Sequence, residues 1–141
     1  MAAISITAAS VLPSASATKP VYKLAAGVTV TQGQAVTVDS TGAALILADA
    51  NGVAPANTFL GFALSAGSPG QWIAVDTSDT AYTAGGTLTV GPVYVHTTAG
   101  AITQTFADLT AGSTVIIVGV AFSTTQMTVI SGGVTSGSGT T

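Results

Sequence analysis

Four glycines frame this chain. Moved by 58 positions without a gap, Gly27, Gly33, Gly42 and Gly61 fall on Gly85, Gly91, Gly100 and Gly119. Thr29 and Thr31 then fall on Thr87 and Thr89, and Ala63 and Ser65 on Ala121 and Ser123. Self-similarity at a fixed offset is the mark of a duplicated structural unit. The reading is an internal repeat, residues 27–65 and 85–123, each built of short strands punctuated by glycine turns. Within residues 85–102, Val93 and Val95 face one way and Tyr94 and His96 the other, because side chains alternate along a strand.

Nothing in the chain competes with strands. Apolar residues never recur at helical spacing between caps, and at most one helical turn is expected, in residues 49–55 or near residues 107–111. Strands are expected on either side of Gly33, over residues 43–48, 59–65 and 71–76, and over the equivalent positions of the second unit, with 114–122 the most β-prone run. Asp39 to Gly42 reads as a turn, residues 49–58 as a loop and residues 77–84 as a connection anchored by Tyr82. The 59–65 strand is apolar on both faces, as befits a strand with core on one side and a second sheet or partner on the other. Trp72 is expected in the core. The fold class is therefore all-β, a compact sandwich or barrel of short strands.

Three segments follow. Residues 1–24 read as an extended N-terminal arm, since Pro13 and Pro20 exclude a helix and few large apolar groups are present. Residues 25–131 form the β-domain, and residues 132–141 read as a flexible Gly/Ser/Thr tail. Ile4, Ile6, Val11, Leu12, Lys19, Tyr22 and Lys23 are the residues of the arm and its end expected to contact another protein subunit, a partner or a neighbouring copy. The arm is expected to be ordered only by such a neighbour.

Composition narrows the function classes. Charged residues are 5% of the chain, against roughly 25% in an ordinary domain. There is no Glu, Arg or Cys, and the five Asp against Lys19 and Lys23 give a net charge of -3. Such a surface offers no basic patch for nucleic acid and little charge repulsion against association. No thiolate metal site or disulfide is available, and no membrane span or signal peptide is read. A single histidine, His96, has neither Cys nor Glu beside which to bind a metal, and no GxSxG elbow supplies a nucleophile. Asp39 and Asp76 each end a strand and are read as turn caps rather than a catalytic carboxylate pair. The Asp49-Ala50-Asn51-Gly52 stretch lacks the closing Glu of a calcium loop. Trp72 and Tyr82 as a sugar-stacking pair yield to a core role. No enzyme activity and no cofactor are expected.

Residues 6–14, 26–42, 90–103 and 107–129 together resemble the small capsid cement, or head decoration, proteins of tailed bacteriophages. The resemblance rests on Gly33-Gln34-Ala35-Val36-Thr37-Val38-Asp39, Gly61-Phe62-Ala63, residues 90–102 and Gly119-Val120-Ala121. It covers residues 4–130 and departs at Thr37, where the family has Tyr, and at His96-Thr97, where it commonly has Leu-Ser. It implies a virion protein on the outer capsid surface, with the major capsid protein and its own copies, as a homotrimer, for partners. The alternative from another class is a receptor- or glycan-binding β-domain of a phage fibre or spike.

Overall fold

The computed structural model describes residues 3–109 and 113–138. The strands are β1 (Val21–Leu24), β2 (Ala35–Val38), β3 (Ala44–Leu47), β4 (Gly61–Ala63), β5 (Trp72–Asp76), β6 (Asp79–Thr83), β7 (Gly91–Val95), β8 (Ile102–Thr103), β9 (Thr114–Ala121) and β10 (Gln126–Ser138). Among the described residues, helix is limited to single 3₁₀ turns at Ala8–Ser10 and Phe106–Asp108. The chain is all-β.

β1 to β5 close into a barrel in the order β1-β3-β2-β4-β5, and β6 to β10 form a sheet in the order β6-β10-β9-β7-β8. These two orders are one pattern. The β1–β3 seam is the barrel's parallel pairing, Lys23 beside Ala44 and Leu24 beside Leu45. Opened there, the barrel reads β1-β5-β4-β2-β3, which is the second sheet strand for strand. Adding 58 to residues 21–24 gives 79–82, inside β6, so the repeated unit begins one strand earlier than the glycines alone suggest. The paired glycines share backbone settings: φ is +78° and +81° at Gly27 and Gly85, and +71° and +81° at Gly42 and Gly100. Gly33 and Gly91 are also in the positive region, at +95° and +138°. Gly61 and Gly119 instead lie where a neighbouring strand's carbonyl oxygen leaves no room for a Cβ.

What differs is closure. β6 and β8 do not pair with each other, and the arm spans the seam between them. The Ile4 N–H donates to the Ile102 carbonyl on the β8 edge at 2.9 Å, and the Thr7 N–H to Gly85 at 2.8 Å. On the β6 edge, Leu12 and Thr83 exchange both backbone bonds, at 3.1 and 2.9 Å. Val11 is fully buried in the larger core, with Ile4 and Ile6 packed against it. Each half thus resolves its open edges differently, the first by a parallel seam and the second by a borrowed segment.

Two cores result. Leu24, Val36, Leu45, Ile73 and Val75 fill the barrel. Phe62, Tyr82, Val93, Ile116 and Met127 lie in the larger core between the barrel and the second sheet. β2 and β4 serve both, Val36 and Ala63 pointing into the barrel and Ala35 and Phe62 into the larger core. That is why their sequence is apolar on both faces.

Several expectations are corrected. Residues 27–32 and 85–90 are not strands; Val30 makes only an isolated bridge to Gly67 and, like its counterpart Leu88, inserts as a single buried side chain. Residues 77–84 are not a connection but contain β6, whose Asp79 carboxylate takes its partners from the arm. Trp72 is 66% exposed, because Ile73 and Val75 take the inward positions of β5 and alternation turns Trp72 out. The arm is ordered by its own domain, and its last four residues are β1; Met1 and Ala2 lie outside the described residues. The tail is strand as far as Ser138, where β10 pairs with β9 (Val134 opposite Ile117, Ser138 opposite Thr114). Residues 139–141 lie outside the described residues.

Candidate functional site

The residues expected at an intermolecular contact do not form one surface. Val11 is wholly internal, and Ile4 and Ile6 line the larger core. Leu12 is 59% exposed beside the β6 edge, while Lys19 and Lys23 are exposed and Tyr22 half-buried against the barrel core. Only the end of the arm faces outward as a patch. Val21 pairs with Ala74 and Lys23 with Trp72, and antiparallel partners share a face. The outer wall of the barrel therefore carries Val21, Lys23 and the chain's one tryptophan side by side. The second sheet has an apolar outer row of its own, in which Pro92 pairs with Val120 and Val120 with Thr128. Val90 and Phe122 continue it, 70% and 48% exposed.

The polar groups that looked chemical serve turns. Asp39 accepts the Thr41 N–H at 3.0 Å, and the Thr41 hydroxyl bond, joined by backbone amides, holds its carboxyl below the ordinary range. Asp49 accepts the Asn51 N–H at 3.1 Å. His96, the residue after β7, is buried, its Nδ1 accepting the Thr98 N–H at 2.9 Å. Among the described residues, no group of three metal-ligating side chains gathers anywhere. Two clefts flank the arm, about 350 Å³ beside Ser5, Ser10 and Thr87 and about 230 Å³ beside Ile6, Gln32 and Thr98. Neither is lined by a titratable side chain, so neither offers general acid or base chemistry.

One titratable cluster does form, and it was not foreseen. Asp76, at the end of β5, meets Asp79 at the start of β6 rather than Asp39. Asp79 is heavily subscribed: it accepts the Ser14 N–H at 3.0 Å, the Ser14 hydroxyl, the Ala81 N–H at 3.0 Å and the Ser16 hydroxyl at 3.3 Å. Asp76 is 0% exposed, and neither of its oxygens meets an N–H or O–H donor in hydrogen-bonding geometry. Its neighbour is the Asp79 carboxyl, and two carboxyls bond only if one keeps its proton. Burial pushes Asp76 up to about 8, helped by the bond to Asp79 and by that group's charge, with the Ser78 amide and Lys19 outweighed. At Asp79 burial would raise the pKa, but bonds from Asp76, Ser14 and the Ala81 amide prevail and hold it at about 2.

Tyr82 borders the pair. Burial, then the charges of Asp76 and Asp79, drive its phenol far above its ordinary range, so it stays neutral. The ring stacks on Phe62 at 4.6 Å and 12°, yet the hydroxyl is buried with no partner. Such a group carries its desolvation cost without return. Tyr82→Phe is therefore expected to leave stability unchanged or raise it by about 1 kcal/mol in urea unfolding. A loss above about 1 kcal/mol would show that the hydroxyl has a bonding role.

Comparisons with known proteins give no match to this chain, whether with family models, curated proteins or solved structures.

Proposed function

We propose that this is a structural virion protein that binds the outer surface of a phage capsid as an oligomer, a homotrimer, and stabilises the shell. The major capsid protein is the partner, and no catalysis is involved. The observation that carries the reading is the exposed apolar wall of Val21 and Trp72 beside Lys23, on a chain with almost no other surface charge. A large aromatic left outward on a barrel wall beside a single charge favours burial against protein. The sequence resemblance to cement proteins supplies the kind of partner.

The same Trp72 favours a second reading, in which it stacks on a sugar of a host-surface glycan. One experiment separates the two. Capsid shells lacking the protein are mixed with the wild type and with Trp72→Ser, and bound protein is measured by co-sedimentation alongside a glycan array. The cement reading expects shell binding that falls by about tenfold or more in the variant, with its fold intact by circular dichroism. Wild type that ignores shells and binds glycans through Trp72 transfers the role to the second reading. Equal shell binding by both proteins removes the barrel wall as the attachment face.

A further inference from the structure

We infer that the Asp76–Asp79 carboxyl pair is a proton-operated latch that fastens the N-terminal arm to the domain. The inference does not rest on the proposed function.

The geometry supplies both halves of the device. Asp79 is the side chain through which the domain grips the bend of the arm, taking the Ser14 N–H and the Ser14 and Ser16 hydroxyls. Ser16 adds a hydroxyl bond to Thr80 at 2.7 Å, and the Thr18 N–H bonds Ser78 at 2.8 Å. Asp79 accepts all these donors only as a carboxylate. Asp76 lies beside it, fully buried and with no N–H or O–H donor on either oxygen, so it can share that space only as the acid, its proton turned to Asp79. Three elements face the pair. β5 brings Asp76 itself, β6 brings Asp79 and the neutral Tyr82 phenol, and the arm brings Lys19, a cation that favours ionised Asp76. One proton therefore closes the latch.

When that proton leaves to solvent, two anions confront each other in a dry corner. Ser14 and Ser16 already serve Asp79, and the Ser78 amide and the Lys19 charge are too little to solvate an ionised Asp76. Water has to reach it, and the arm is the movable cover: Ala15, Ser16, Thr18 and Lys19 are all exposed. Opening there frees the β6 edge at Thr83 and loosens Val11. With Asp76 titrating near 8, the arm is closed at neutral pH and released in mild alkali.

The test is amide hydrogen exchange of the full chain, corrected for intrinsic rates, across roughly pH 6 to 9.5. The reporters are the Thr7, Leu12 and Thr18 amides, which bond the domain, with Leu60 in the barrel as the reference. Protection at the three arm amides is expected to fall about tenfold or more with a midpoint near pH 8, while Leu60 stays protected. Asp76→Asn keeps a donor toward Asp79 and cannot ionise, so its arm should remain protected throughout. If the variant's arm opens at the same pH as the wild type, or the wild-type arm shows no pH-dependent opening, the latch is overturned. Should the variant not fold, carbon NMR of the wild-type carboxyls decides. One Asp titrating above about pH 7 in step with the arm signals supports the latch, and all five titrating below about pH 5 refute it.

Discussion

Removing residues 1–12 is expected to open the second half of the molecule while the barrel strands stay paired. The deletion takes away Val11, wholly buried, and the partly buried Ile4 and Ile6 from the larger core. It also strips the Ile4, Thr7 and Leu12 bonds from the edges at Ile102, Gly85 and Thr83. A buried Val and two partly buried Ile represent roughly 4–6 kcal/mol of apolar transfer, against which the ordering of the segment must be set. A net loss on the order of 3 kcal/mol in urea unfolding is expected, with the smaller change Val11→Ala costing about half of that. The freed β6 and β8 edges lie on a chain with few charges to blunt them, so concentration-dependent association should follow. A synthetic peptide of residues 1–13 added in trans should suppress it. If the truncated chain unfolds at the wild-type urea concentration and stays dispersed, the arm does not complete the second unit.

The logic of that prediction lies in the repeat. In the first unit the seam closes because β1 reaches β3, and Leu24 beside Leu45 seals the barrel core. In the second unit β6 carries Tyr82 where β1 carries Leu24, and Tyr82 stacks on Phe62 across the larger core. A core that must also cover Phe59, Phe62 and the face of β2 is too wide for β6 and β8 to meet. The arm fills the difference, and the alternation of Ile4 and Ile6 is what a short segment laid along an open edge requires.

Part of this was legible. Gly42 and Gly100 were readable as turns because an Asp- or Thr-led turn needs a residue that tolerates positive φ, and few residues besides glycine do. The strands apolar on both faces, residues 59–65 above all, were readable because burial on both sides leaves no place for polar alternation. Trp72 misled through its size, although Ile73 and Val75 between polar ends already implied that it points outward. β6 was missed for want of one step: the same offset applied to residues 21–24 reaches Tyr82. The carboxyl pair was not legible at all. Asp76 and Asp79 are three apart, and whether they meet or diverge depends on the path of the β5–β6 corner and on an arm arriving from sixty-odd residues away. Nor does a sequence distinguish an arm bound to its own domain from one bound to a neighbour, since the contacts are chemically identical.

Gly119→Ala is expected to be among the most damaging single substitutions in the chain, and Gly61→Ala its counterpart. A Cβ on Gly119 would stand 2.0 Å from the Thr128 carbonyl oxygen and 2.6 Å from the Met127 methyl carbon. At Gly61 it would stand 2.4 Å from the Asp76 carbonyl oxygen and 2.7 Å from a Val75 methyl. The nearest atom in each case is backbone of the adjoining strand, so no rotamer change relieves the clash. β9 must move off β10, or β4 off β5. Overpacking that shifts a strand costs about 3 kcal/mol or more. Gly42→Ala separates this cause from backbone strain, because Gly42 has φ +71° and open space around its missing Cβ. Its loss should be only about 1–2 kcal/mol, the cost of left-handed geometry in an L residue. Urea unfolding of the three variants is the measurement. Similar small losses at all three would mean that the strands have slack at these contacts. A large loss at Gly119 with none at Gly61 would mean that the two units, alike in strand order, are packed to different tolerances.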